Sequence, residues 1–311
     1  MAKKAYRVRN WSEYNKSLKQ RGSLTVWINE KSLRHWYATH QKTQQGGRPK
    51  VYSDLAILTI LTLKHLYHLN LRGCVGFVES LLELKKLSFL KVPSFSQLSR
   101  RQKHLKIPKF PNREEPIHLV IDSSGLKLFG EGEWKVRTHG HSKRRTWRKL
   151  HIGVDEQSQL IVTGELTGND CGDDKRLPGL IEAYSGQLSQ VSADGAYDSH
   201  ACFDCIVAHG ATPTIPIQPN PIHKPKRLMA LKRPRDWVAW RTQQQGQSTW
   251  KKQSGYHRRS LVETAFYRYK QLFGDKLAAR NFENQQTEAL LKCHLLNQIT
   301  SLGMPDSVAS Y

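Results

Sequence analysis

The sequence predicts an α/β domain built on a mixed sheet, preceded by an all-α, helix-turn-helix-like N-terminal domain. Three observations carry this. A Pro-rich stretch, IPKFPNREEP at 107–116, separates two parts of different texture. Before it, apolar residues gather in helix-length segments with good capping residues. After it, near-continuous apolar runs of strand length alternate with helical segments, in the order three strands, helix, strand, helix, strand, helix. That order fits an antiparallel meander joined to parallel strands. The expected domains are residues 1–115 and 116–311.

Taken in order, NWSEYNKSL and SLTVWINEKSLRHWY, within residues 1–40, read as polar, exposed helices with aromatic staples. HQKTQQGGRPKVY reads as a linker, or as a basic segment lying along a minor groove. Ser53 caps a predicted helix over 54–69, with Asp54 placed well for the helix dipole. CVGFVESLLEL, Cys74–Leu84, gives a second helix. SFSQLSRRQKHLK gives a third, capped by Ser94 or Ser96 and carrying Gln97, Arg100 and Arg101. Three helices ending in a basic one match a helix-turn-helix reader of DNA; a small all-α domain with a solvated face is the other reading.

Past the boundary, IHLVID (Ile117–Asp122) reads as a strand buried on both faces. RTWRKLHIGVDE and QLIVTGEL give two more strands joined by a turn, and CGDDKRLPGLIEAYS a helix. QVSADGAYDS is a short strand ending at Asp194; after a helix, TPTIPI is pushed to a sheet edge by its prolines. Residues 221–250 form a basic excursion, YHRRSLVETAFYRYK (Tyr256–Lys270) a helix, and Glu288–Leu302 a last amphipathic helix.

The chain of 311 residues carries a net charge of +23, and residues 1–115 hold 23 Lys/Arg against 7 Asp/Glu. Such a field suits a polyphosphate partner, and double-stranded DNA is the expectation. No basic segment carries the bulky apolar face of a membrane anchor, and no apolar run approaches a membrane span. The N-terminus lacks the apolar core of a signal peptide, so a cytoplasmic protein is expected. Five dispersed Cys argue against a disulfide framework. His200, Cys202, Cys205 and His209 have spacing that suits zinc, but they fit a buried helix face as well.

Asp122 and Asp194 both close short buried strands, where sites form in open α/β sheets. Either aspartate alone could instead cap a turn, and Asp155 is a rival carboxylate in a hairpin setting. Glu263 adds a third carboxylate from a helix. Tyr256, Arg259 and Lys270 stand at offsets of −7, −4 and +7 from it, within roughly 40° on one stripe about 20 Å long. A surface helix with spaced charges would show the same spacing. Three carboxylates without His make an oxygen-rich set suited to Mg²⁺ or Mn²⁺. Two such ions, about 3.5–4 Å apart, would clamp the attacking and leaving oxygens of a phosphoryl transfer. The run HGHSKRRTWRKLH, with Arg144, Arg145, Trp147, Arg148 and Lys149, reads as a DNA-gripping hairpin or as a charge-defended strand edge. Trp134, Trp147, Trp240 and Trp250 are candidates for stacking on an extruded base, and each also fits a core.

IDSSGLKLFGEGEWKVRTHGHSKRRTWRKLHIGVDE, SADGAYDS and the full Y-x2-R-x3-E-x6-K spacing together resemble the DDE transposases of bacterial insertion sequences. The resemblance is to those with the Y-R-E-K signature, in the insertion-sequence-five family. It extends upstream through NWSEYNKSLKQRGSLTVWI and GRPKVYSDLAI. It implies a ribonuclease H-like catalytic domain with Asp122, Asp194 and Glu263 as catalytic metal ligands. It also implies a helical N-terminal domain that binds terminal inverted repeats, activity on element ends and target DNA, and self-association as a dimer or larger on DNA. In a bacterial cell it places the DNA-bound protein with the nucleoid. The 69 residues from Asp194 to Glu263 leave little room for the large β-insertion of some relatives. A nuclease of the same fold that never joins strands, or a DNA-binding regulator without catalysis, are the alternatives.

Overall fold

The computed structural model describes residues 5–39, 50–128, 147–218 and 233–310. Arg144, Arg145, Trp134, most of the linker and the first part of the basic excursion, 221–232, lie outside these residues. The chain divides into two units, one of residues 1–108 with 294–311 and the other of 109–293. The expected division placed the boundary seven residues later, at 115/116, and the whole C-terminus with the second part.

The first unit carries α1 (Trp11–Arg21), α2 (Leu24–Trp27), α3 (Glu30–Arg34), α4 (Asp54–Leu66), α5 (Leu71–Leu84) and α6 (Phe95–Gln102). Side-chain caps set the starts of the last three. Ser53 accepts from the Ala56 amide at 3.0 Å and Asn70 from the Gly73 amide at 2.7 Å. Ser94 forms a capping box with Gln97. Helix α4 is buried almost all round, and Ile57, Ile60, Leu61 and Leu63 meet Cys74, Val78, Leu82 and Leu98 in the unit's core. Removing the box with Ser94→Ala is expected to cost about 1 kcal/mol, read as a lower urea midpoint with an unchanged slope.

This unit is not all-α, contrary to expectation. Strand β1 (Ala5–Val8) pairs antiparallel with β8 (Ser307–Ser310), joining the two ends of the chain. Asn10 holds the junction from both sides: its Nδ2 donates to Met304 O at 3.0 Å and its Oδ1 accepts from the Asp306 amide at 2.8 Å. Ser17 and Arg21 of α1 both donate to Gly303 O, at 3.3 and 3.2 Å. Gly303 has φ +143, a backbone conformation open to glycine.

The second unit is built on one mixed sheet, in strand order β4-β3-β2-β5-β6, with β7 also paired to β2. The strands are β2 (Ile117–Leu128), β3 (Trp147–Asp155), β4 (Ile161–Gly168), β5 (Leu188–Ser192), β6 (Thr212–Thr214) and β7 (Lys276–Leu277). The first three form the predicted antiparallel meander; β5, β6 and β7 run parallel to their neighbours. Strand β6, with Pro213, lies at the edge.

On one face α7 (Leu177–Glu182) and α8 (His200–Ala208) close a core of Leu119, Ile121, Leu180, Ile181, Val191, Phe203 and Ile206. Cys202 is part of it and Cys205 packs against it, so the core role holds for this pair. Against the sheet also packs α11 (Ser260–Phe273), through Val262, Ala265, Phe266, Tyr269 and Phe273.

Two further expectations need correction. The excursion 221–250 contains helix from Pro234 on: α9 (Pro234–Gln245) and α10 (Gln247–Gln253). The last helix, α12 (Phe282–Leu302), is buried on nearly every side rather than amphipathic. Its charges Glu288 and Lys292 neutralise each other at 2.8 Å, and Glu288 also accepts from the amides of Ala278 and Ala279 at 3.0 and 2.9 Å.

Candidate active site

Strand β2 does not stop at Asp122; it runs on to Leu128. Its register shows why the site forms there. Through Val120 the strand is paired on one side by β5, whose last partner is Ser192. On that same parallel side β7 joins only at Lys127. Between them, Ile121–Leu126 pair with β3 alone, leaving an opening on one edge of the sheet. Asp122 and Ser124, two residues apart and so on one face, sit beside this opening.

Asp194 lies two residues beyond β5. It caps the 3-10 turn Gly195–Tyr197, accepting from the Ala196 amide at 2.9 Å. A side chain on Gly195 would run into Gln218, whose Nε2 would stand 2.0 Å from the added carbon. The turn's far end is Asp198, and there the second Asp of the DGAYD run does structural duty. Arg235 of α9 grips it with Nε and Nη2 at 2.6 and 2.8 Å, and the Gln218 amide adds a bond of 2.8 Å. Both side chains are buried, 6% and 3% exposed, so the pair fixes the turn that carries Asp194.

The expected helix over Tyr256–Lys270 is split. Gly255, at φ +69, leads into a 3-10 turn Tyr256–Arg259, and the α-helix begins at Ser260. The key side chains still converge. Arg259 donates through Nη1 to Asp122 Oδ2 at 3.1 Å and through Nη2 to Glu263 Oε1, bridging strand and helix. Lys270 donates to Ser124 Oγ at 2.6 Å. The Tyr256 ring lies under Arg259 at 5.9 Å and under Lys251 at 5.2 Å, and rests against the buried Trp250.

Asp122 is raised to about 6, first by burial and then by the like charges of Asp194 and Glu263, against the pull of Ser123 N and Arg259. Asp194 and Glu263 therefore lie within electrostatic reach of Asp122. Burial also raises the Tyr256 phenol, and Asp194 and Asp122 add to the rise. The consequence for stability has a definite sign. A carboxyl whose folded pKa lies above its unfolded value binds more protons when folded, so its contribution falls as pH rises from about 4 to about 6. In metal-free buffer the melting temperature of Asp122→Asn, relative to the native protein, is expected to climb over that window. A flat difference from pH 4 to 7 would remove the argument.

Among the described residues, no group of three or more His, Cys, Asp or Glu stands ready to hold a metal ion. The chemistry of the set nevertheless fits a hard divalent cation: oxygen donors only, and a carboxyl crowded by like charge.

The other expected contacts are not gathered here. Arg148 donates to Gln285 at 3.0 Å and stacks on Phe282; Lys149 reaches Cys171 O and Asp173 at 3.1 and 3.2 Å. Trp147 covers Gly125 on the continuation of β2. In the first unit, Gln97 is used by the capping box and Arg101 by Asp54 and Tyr52 O, while Arg100 is exposed. Asp155 is a turn carboxylate, as its setting suggested. Burial works to raise it, but bonds from Ser158, Arg113 and the Gln157 amide hold it below the usual range. Asp198 and Arg235 were not singled out by sequence; the repeated Asp in DGAYD was the one available signal.

Two family models, each described as a transposase DDE domain, match the chain, one over residues 19–131 and one over residues 113–298. No solved structure matches it.

Proposed function

The chain belongs to the DDE transposases, DNA-cleaving enzymes that generally use divalent metal ions, and from that premise we propose how its own residues divide the work. Asp122, Asp194 and Glu263 are the catalytic set and hold Mg²⁺ or Mn²⁺, as two ions. Bound there, such ions neutralise the charge that builds on the reacting phosphate and lower the pKa of water. Arg259 and Lys270 place the phosphates of the terminal strand, and Tyr256 stacks on it or bonds to it. Water first breaks the P–O3′ bond at the element's end and frees a 3′-hydroxyl. That hydroxyl then attacks a phosphodiester of target DNA, forming one P–O bond as another breaks, so strand transfer needs no external energy source.

The supporting observation is the bridge from Asp122 through Arg259 to Glu263, with Asp194 close enough to raise Asp122. The second unit is read as ribonuclease H-like, on its meander and parallel strands. The first, strongly basic unit is read as the binder of terminal inverted repeats, with Arg100 as its available contact on α6 and Gln97 and Arg101 as supports. Arg144, Arg145, Trp147, Arg148 and Lys149 are read as DNA contacts on the strength of their basic run alone, and Arg148 and Lys149 would have to leave Gln285 and Asp173 to make them. The protein works as a dimer or larger on DNA, since two element ends must be brought together. Among the described residues no helix is long and apolar enough to cross a membrane.

A strand-transfer assay with a pre-cleaved donor end tests the reading. Joined product is expected; cleavage of intact ends without any joining would leave a nuclease of the same fold. Failure to bind the inverted repeats that flank the gene would remove the role given to the first unit.

A further inference from the structure

We propose that Arg259 is the resident counter-cation of the catalytic carboxylates, that it competes with the metal for them, and that a DNA phosphate draws it away and so licenses metal loading. This rests on the assignment of Asp122, Asp194 and Glu263 as the metal-holding set. The guanidinium bonds one oxygen from each of two members of that set, Asp122 Oδ2 at 3.1 Å and Glu263 Oε1. An ion shared by those oxygens would need them at about 2.0–2.1 Å if it were Mg²⁺. The guanidinium and the ion cannot both use the same lone pairs.

The competitor is placed where it can leave. Arg259 ends a 3-10 turn entered through the left-handed Gly255, whereas Glu263 is inside the helix that starts at Ser260. The long, partly exposed Arg259 side chain can therefore swing off both carboxylates by rotamer change, leaving the backbone that carries Glu263 in place. The ring of Tyr256, 5.9 Å from the guanidinium, supplies a second resting surface. A phosphate offers the planar fork a bidentate partner as good as the two carboxylates it gives up. By linkage, whatever takes Arg259 raises metal affinity, and metal then raises affinity for that partner by the same factor.

The test uses the full chain and Mn²⁺ alone, with binding measured by calorimetry or by the spin signal of free Mn²⁺. Arg259→Ala is expected to bind Mn²⁺ roughly tenfold tighter or more, the worth of losing a charge-assisted bridge. Arg259→Lys, which keeps the charge but cannot fork, is expected to fall between, and it carries the test should the alanine variant not fold. Unchanged or weaker Mn²⁺ binding in the folded variants overturns the proposal. Asp122→Asn serves as the control: if it binds Mn²⁺ like the native protein, the assignment of the carboxylates has failed instead. In a second measurement, Mn²⁺ is expected to tighten binding of a duplex with an uncleavable terminal linkage more in the native protein than in Arg259→Ala. Equal tightening in both overturns the phosphate-driven release.

Discussion

Asp122→Asn, Asp194→Asn and Glu263→Gln are each expected to reduce strand cleavage in Mg²⁺ by at least about 10³-fold, while the protein still folds and binds DNA. The size follows from the several kcal/mol of charge stabilisation that a metal site supplies, at about 1.4 kcal/mol per factor of ten. The three substitutions should not behave alike in other respects. Asp122→Asn removes a buried like charge and one anchor of Arg259. Glu263 is half exposed and, among the described residues, bonds Arg259 through one oxygen, so Glu263→Gln should leave stability nearly untouched. Asp194→Asn keeps an oxygen able to cap the 3-10 turn, so it isolates the loss of charge from the loss of the turn. Measuring cleavage and joining at saturating DNA for all three decides membership of the set. Any one that cleaves like the native protein leaves it.

The second large effect lies away from Asp122 and Glu263. Asp198→Ala or Arg235→Ala is expected to lower stability by about 3–5 kcal/mol, because each leaves a buried charge without its partner. Cleavage should fall with it, since the turn between Asp194 and Asp198 is then held at one end only. The double variant Asp198→Leu with Arg235→Met should recover much of the stability, as replacement of both charges removes the desolvation cost. Urea unfolding followed by Trp fluorescence reads both. A single-variant loss below about 1 kcal/mol would show that the pair is solvated rather than structural.

Much of this architecture was legible in the residues, and the misses have physical causes. Continuous apolar runs announced β2, β3, β4 and β5, because strands buried on both faces need them. The extension of β2 through Ser123–Leu128 was hidden, since it is specified by pairing with β3 and not by its own polar sequence. Strands β1 and β8 were hidden for a similar reason: four-residue segments whose partners stand some 300 positions apart leave no local signal. The burial of α12 was masked by Glu288 and Lys292, which look like surface charges until they are seen to satisfy each other. At the site, the Y-R-E-K spacing pointed to side chains that the fold brings beside β2, but not to the change from 3-10 turn to α-helix at Ser260 that decides their heights. Asp198 looked like part of Asp194's turn, and only Arg235, 37 positions on, reveals its separate task.

The pairing of β1 with β8 bears on how the protein is made. A chain emerges from the ribosome at about 5–20 residues per second. Residues 5–8 thus wait roughly 15–60 s for residues 307–310, and α1 waits equally for the Gly303 carbonyl that Ser17 and Arg21 both use. The second unit, contained within 109–293, has all its residues earlier. Every residue of the second unit is therefore synthesised before the strand pair of the first unit can close.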